Sequence, residues 1–387
     1  MSRHGNVCQG PMAIRAIKAL EETERDMNRI FNFSAGPGIL PLEVLQEASQ
    51  GVLEINNSGM SILEVSHRGK DYDAIHVETR ERLLRVLGLD PEVYTALFLG
   101  GGASTQFAIL PMNFLGKEDT ADYINTGEWA AKAIKEAKRF GKVNVASSSE
   151  DAKFAYIPKS HNLTPGAKYV HLTTNNTIEG TEFSTFPETG DVPLVVDASS
   201  DIMAKALDYS KFHLIYAGAQ KNAGPAGVTL IVARKDYLAT ATDDIAAILS
   251  YKTHAKSDSM YNTPPVFPIY VVGLVLKWIE AQGGLTLVEA RNREKAALVY
   301  GALDTHTEVY DPAVTDPADR SLMNVTFRLR NAELDKKFLA GAQERGMDGL
   351  KGHRNVGGMR ASIYNAFPVE GCKALAEYLT EFAKANA

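Results

Sequence analysis

Residues 213–236 read "HLIYAGAQKNAGPAGVTLIVARKD", two apolar runs on either side of a turn rich in glycine and alanine. His213 to Ala217 mixes branched, aromatic and small apolar residues as a buried strand does, and residues 227–236 predict a second strand after the Gly-Pro-Ala-Gly turn. Lys221 therefore falls in a connection between two strands, close to the core. An ammonium held there loses hydration, and its pKa falls towards the range in which the free amine is a nucleophile. The other reading of Lys221 is an ordinary solvated loop lysine.

Outward from this pair, helical and strand patterns alternate from about residue 41 to 236. "LPLEVLQEASQGVLEI" predicts a helix with Pro41 in its first turn, and "DYDAIHVETRERLLRVLGL" a second helix, followed by the strand "TALFLGG". Ser104 is placed to cap the helix "TQFAILPMNFL". "DYINTG", the helix "EWAAKAIKEAKRF" and the strands "VNVAS", "YVHLTT" and "PLVVDAS" follow. Apolar strands separated by helices predict an α/β domain, a mostly parallel sheet flanked by helices, with ligands at the carboxyl ends of the strands. The last hundred or so residues alternate differently: a long amphipathic helix, the strand "SLMNVTFRLRN", another helix, two short strands and a final helix from Val369. They predict a smaller α+β C-terminal domain. The expected division is a large domain over 41–283 and a small one over 284–387, with 1–26 an extension of unknown role and Met27 a candidate start.

The chain of 387 residues is 45% hydrophobic and 23% charged, and its net charge of −6 includes no block of like charges. This composition is that of a soluble globular protein and argues against nucleic acid or an anionic membrane as the main partner. Cys8 and Cys372, at opposite ends of the chain, form neither a metal-ligand spacing nor a disulfide framework, so the expected compartment is a reducing cytoplasm. No apolar stretch approaches a bilayer span, and residues 1–26 lack the apolar segment of a secretory signal.

Several common motifs fail. The glycines at 100–102 are followed by Thr105 where a dinucleotide fingerprint requires glycine, and "GKED" at 116–119 lacks the hydroxyl residue of a P-loop. Ser34 follows "NF", not the glycine spacing of a nucleophile elbow, and the histidines show no metal spacing, so no metal is expected. What remains lies at strand ends. "FLGGGASTQF" offers backbone N–H groups and the Ser104 hydroxyl as an anion cradle, or else is a plain tight turn. Asp197 ends "PLVVD", as a turn residue or as a carboxylate facing a pocket, 24 residues before Lys221. A lysine, a carboxylate and a phosphate cradle at one sheet edge meet the needs of pyridoxal 5′-phosphate, which takes a Schiff-base amine, a partner for its pyridine nitrogen and a seat for its phosphate. Trp129 could stack on such a ring or simply pack in the core. Two glycine-spaced basic clusters, "SHRGK" (66–70) and "GHRNVGGMR" (352–360), suit a doubly anionic small substrate.

Taken in order, "NFSAGPGILP", "SHRGKDY", "GGASTQF", "NTGEW", "NNTIEGT", "DASSD", "YAGAQKN", "YNTPP" and "KGHRNVGGMRASIYNA" resemble the class V, fold-type-I pyridoxal-phosphate aminotransferases, and within them the phosphoserine aminotransferases. The resemblance implies Lys221 as the lysine that holds the cofactor, with Gln220 beside it on the phosphate. It implies Asp197 on the pyridine nitrogen, Trp129 stacked on the ring and Thr177 on the phenolic oxygen. Ala103 and Ser104 would hold the phosphate, joined by Asn262 and Thr263 across a homodimer whose active site is shared. Arg360 would bind the α-carboxylate, and His67, Arg68, His353 and Arg354 the distal phosphate or the glutamate side chain. Some members carry arginine where Ser104 stands, and a hydroxyl variant also occurs. The segment 27–40 would pack with the small domain. The implied reaction is transamination between glutamate and 3-phosphohydroxypyruvate in serine biosynthesis, with 4-phosphohydroxythreonine-type substrates as a secondary expectation. The alternative is another class V activity, such as alanine– or serine–glyoxylate or –pyruvate transamination, whose substrates lack a distal phosphate.

Overall fold

The computed structural model describes residues 29–354 and 356–386, so the expectations for residues 1–26, for Met27 and for Cys8 lie outside the described residues. Its strands are β1 (Phe31–Asn32), β2 (Tyr94–Leu99), β3 (Thr120–Asn125), β4 (Lys142–Ser148), β5 (Val170–Thr173), β6 (Leu194–Asp197), β7 (Leu214–Gly218), β8 (Thr229–Arg234), β9 (Tyr310–Pro312), β10 (Asn324–Leu329), β11 (Met347–Asp348) and β12 (Met359–Ser362). β2 to β8 form one sheet of seven strands in the order β2-β8-β7-β6-β5-β3-β4. The run β7-β6-β5-β3-β4 is parallel, and β8 is antiparallel to both β7 and β2. The fold is α/β with a mostly parallel sheet, as the alternation of patterns predicts.

Period-two alternation assigns the two faces of this sheet. Leu214 and Tyr216 enter a core with Leu97, Val195 and Ile231, under the helices Gly102–Phe114 and Glu128–Ala137. Ile215 and Ala217 enter the opposite core with Phe98, Leu172 and Val196, covered by the helix Val266–Ala281. Both faces are dry, which is why β2, β5, β6 and β7 are buried along their whole lengths. The apolar run after Pro265 is a core helix, and among the described residues no single helix is long and apolar enough to cross a membrane.

The C-terminal residues build a second core from the helices Gly284–Thr305, Asp335–Glu344 and Val369–Asn386 against the antiparallel strands β9-β10-β12. Phe33 and Ile39 are buried in that core, and β1 pairs with β11 in parallel through Phe31↔Met347 and Asn32↔Asp348.

Two local expectations are corrected. Ser104 is not a helix cap. The helix already begins at Gly102, after Gly101 at φ +90°, so Ser104 lies in the first turn. Consecutive glycines in left-handed conformations, Gly101 at φ +90° and Gly102 at φ +66°, turn the chain from β2 directly into the helix. The Thr105 hydroxyl donates to the Gly101 carbonyl (2.9 Å), and a side chain on Gly101 would run into it. Pro41 stands immediately before the helix Leu42–Leu53, not inside it.

Candidate active site

Registers in the parallel sheet bring the site together. Asp197, the last residue of β6, is level with Thr173 of β5 and Tyr216 of β7. The chain leaving β7 must turn back antiparallel into β8, and that turn carries Gln220 and Lys221 past the carboxyl end of β6. Ser199 holds the geometry: its N–H (3.0 Å) and hydroxyl (2.6 Å) donate to Asp197 Oδ1, and the hydroxyl accepts the Gly218 N–H (3.0 Å). Burial pushes the Asp197 carboxyl upward, opposed by Ser199 and by the charge of Lys221.

Lys221 Nζ donates to Thr177 Oγ1 (2.7 Å) and lies 5.7 Å from the centre of the Trp129 ring. Burial pulls its ammonium down to about 8; Asp197 resists this and Arg360 reinforces it. The same Thr177 accepts Arg360 Nη1 at its carbonyl (3.2 Å). Arg360 is in β12 of the C-terminal core, so this bond joins the two cores across the site. Its Nε is buried without a protein partner, as is Trp129 Nε1. Two donors left unsatisfied in a protein-only pocket are what a bound anionic ligand would explain.

Ala103 packs into the same apolar cluster as Trp129, whereas Ser104 is exposed on the first turn of its helix. Gln220 lies against Gly218, where an added Cβ would come within 2.7 Å of its amide oxygen. The His353 carbonyl accepts the N–H groups of Val356 (3.0 Å) and Gly357 (2.8 Å), folding this glycine-spaced loop beside β12. Burial lowers the His353 pKa, and the charges of Arg360, Arg354 and Lys132 lower it further, so this basic group is gathered around Arg360.

The remaining expected residues lie in two loops. His67 and Arg68 lie in the loop before the helix Lys70–Val86, with Arg68 exposed and its N–H on Ser66 Oγ (3.3 Å). Asn262 and Thr263 are exposed, and the Asn262 amide donates to the Thr263 carbonyl (3.2 Å). The two loops meet on a small apolar cluster of Ile55, Ile62, Val65 and Tyr72 with Met260 and Val266.

The site also contains residues that motif reading did not assign. Gly38 N–H donates to the Gln220 carbonyl (2.7 Å), and Tyr364 donates to the Ala35 carbonyl (2.6 Å), so the "SAGPG" segment straps the lysine turn. A Cβ on Gly38 would sit 2.7 Å from the Tyr364 ring, which explains glycine there by close approach alone. Among the described residues no group of His, Cys, Asp and Glu could hold a metal ion.

A buried lysine whose ammonium is pulled down by burial, a carboxylate oriented by a serine, an indole face, a glycine-led helix N-terminus and an arginine with a free donor together fit pyridoxal 5′-phosphate. The chain belongs to the class V aminotransferase family. The sequence model described as Aminotransferase class-V matches residues 30–375. The phosphoserine aminotransferase of Desulfatibacillum aliphaticivorans is 55% identical over 361 residues, which cover 93% of this chain and 99% of that protein. Among solved structures, the phosphoserine aminotransferase of Bacillus circulans subsp. alkalophilus superposes with a TM-score of 0.90 at 50% identity, covering 93% of this chain and 99% of that one. The PLP-bound phosphoserine aminotransferase of Trichomonas vaginalis superposes with a TM-score of 0.85 at 38% identity, over 91% and 99% of the two chains. Within class V the chain thus groups with phosphoserine aminotransferases along nearly its whole length.

Proposed function

We propose that this protein is a pyridoxal-phosphate-dependent phosphoserine transaminase. It transfers the amino group of L-glutamate to 3-phosphohydroxypyruvate, giving O-phospho-L-serine and 2-oxoglutarate in serine biosynthesis. The observation that carries the reading is the meeting of Lys221, Thr177 and Arg360 at one point beside Asp197, in a chain 55% identical to a phosphoserine aminotransferase over 93% of its length.

When bound, the cofactor supplies the electron sink for the carbanion formed at the substrate Cα. Lys221 would hold it covalently and, as a free amine, would carry the proton at the substrate Cα. A pKa near 8 suits this work, because the amine is available both as base and as acid close to neutral pH. Asp197 would pair with the pyridine nitrogen, Trp129 would lie against the ring and Thr177 would bond the phenolic oxygen. Ala103, Ser104 and Gln220 take the phosphate, together with Asn262 and Thr263 of the partner subunit. Arg360 would bind the α-carboxylate through its unpartnered Nε and the Nη donors not engaged by the Thr177 carbonyl. His353 and Arg354, with His67 and Arg68, bind the distal phosphate of one substrate or the side-chain carboxylate of the other.

The exposure of Asn262 and Thr263, and of Leu63 and Tyr261 in the same two loops, supports a homodimer in which each site is completed by the other subunit. The proposed setting is the cytoplasm, with a large cofactor-binding domain over 41–283 and a small domain over 284–387, against which 27–40 packs. Phosphorylated hydroxythreonine-type substrates fit the same anion sites. The test is 2-oxoglutarate formation from glutamate with 3-phosphohydroxypyruvate, glyoxylate or pyruvate as acceptor. Turnover with the phosphorylated acceptor in large excess over the others is expected, and a preference for glyoxylate or pyruvate would move the protein to the rival class V activity.

A further inference from the structure

Thr177 lies in the tight turn "NNTIEGT", whose Glu179 is buried at 6% exposure although nothing in the reaction above uses it. Glu179 Oε1 accepts the Glu128 N–H (2.8 Å), the first N–H of the helix that carries Trp129 at its next position. The Glu179 carbonyl accepts the Thr326 hydroxyl (2.8 Å), and Thr326 in β10 is paired directly with Arg360 in β12. One residue therefore touches the supports of Trp129, Thr177 and Arg360, three of the side chains assigned to the cofactor and substrate. We propose that Glu179 is a positioning residue that locks the Trp129 helix to the Thr177 turn and so sets the indole face relative to the Lys221 amine. The inference rests on the reading of the site given above and concerns a residue which that reading leaves without a role.

The local geometry also specifies how Glu179 does this. A Cβ on Gly127 would lie 2.7 Å from both Glu179 Oε2 and Asn176 Oδ1, so both oxygens crowd the same dry spot and glycine is required there for space. Each is buried without a hydrogen-bond partner. The Asn176 amide is held in this turn by Thr126 Oγ1 (3.1 Å) and Thr181 Oγ1 (3.0 Å), which accept from its Nδ2. A neutral Glu179 carboxyl would supply the one proton that this pair of acceptors lacks. Burial and the neighbouring Glu128 carboxylate push Glu179 towards that form, while the Glu128 N–H and the Arg360 charge oppose it.

This assignment separates two substitutions. Glu179→Gln is neutral, keeps an acceptor for Glu128 N–H and offers a donor to Asn176; Glu179→Ala removes both links. The chain has two tryptophans, so a Trp278→Phe background makes Trp129 the sole indole reporter. Measured in that background are Trp129 emission in cofactor-free protein, the dissociation constant for pyridoxal phosphate and the melting temperature. Expected are wild-type values for Glu179→Gln, against a red-shifted emission and on the order of tenfold weaker cofactor binding for Glu179→Ala at a similar melting temperature. Unchanged emission and affinity in a folded Glu179→Ala protein overturn the proposal, and so does a Glu179→Gln protein as damaged as the alanine variant. If Glu179→Ala does not fold, Glu179→Gln decides alone: a charged carboxylate role predicts loss in it and a neutral one predicts retention. Should the parent protein take up no pyridoxal phosphate, the functional reading fails, while the emission comparison still judges Glu179.

Discussion

The buried setting of Lys221 makes a quantitative prediction about its amine. With a pKa near 8 instead of the ordinary 10.5, roughly a quarter of it is unprotonated at pH 7.5, against about one part in a thousand for a solvated lysine. The gain in reactive amine is therefore on the order of two hundredfold. Covalent uptake of pyridoxal phosphate by cofactor-free protein, followed by its visible absorption from pH 6 to 10, reports this fraction once the cofactor's own ionisations are subtracted with a free-amine control. The rate should climb with pH and level off above about pH 9. Replacing Asp197 by Asn removes the charge that supports the ammonium, so the midpoint should move lower still. A rate that keeps rising to pH 10, or a midpoint that moves upward in Asp197→Asn, would refute burial as the cause. The sign for stability follows from the same shift. The folded state pays the full desolvation cost of the ammonium below about pH 8 and is relieved of it as pH rises towards 10.5, because the unfolded chain binds more protons in that window.

Other outcomes are expected from the same geometry. Lys221→Ala should abolish turnover while its circular dichroism and melting temperature hold, since it deletes a desolvated charge and a single hydrogen bond. Arg360→Ala should raise KM for glutamate and for phosphoserine by on the order of ten- to a hundredfold, the loss expected for a charged hydrogen-bonding partner, as steady-state kinetics would read. Tyr364→Phe strands the Ala35 carbonyl and should lower stability by about 1–3 kcal/mol in urea titration, with weaker cofactor retention as the strap loosens. Leu63→Glu places a charge on an exposed apolar position of the loop proposed to face the partner subunit; size-exclusion chromatography should show monomer, with activity falling in parallel.

The parts of the fold that sequence reveals are those set by local chemistry. Branched apolar runs such as "LIYAG" and "LVVD" are strands because both sheet faces are dry, and the alternation with helices implies a parallel sheet without knowledge of its order. Lys221 and Asp197 are legible for the same reason, since each ends or follows such a run. Ser104 misleads because capping propensity was weighed against a start that two left-handed glycines had already moved to Gly102. Glu179 and Tyr364 carry no local signal at all. Their partners are 51 and 329 residues away, and only the tertiary fold brings them together. Gly38 and Gly127 are visible as letters, but their reason is the approach of Tyr364 and of Glu179 with Asn176, a tertiary fact.

The central claim is a lysine-bound cofactor in a site shaped for a phosphorylated amino acid, and one spectrum tests both halves. The purified protein, loaded with pyridoxal phosphate, is recorded before and after O-phospho-L-serine, with L-alanine as control. The account predicts a visible band that gives way to near-ultraviolet absorption with phosphoserine and persists with alanine. An equal response to alanine, or no visible band after loading, would contradict it.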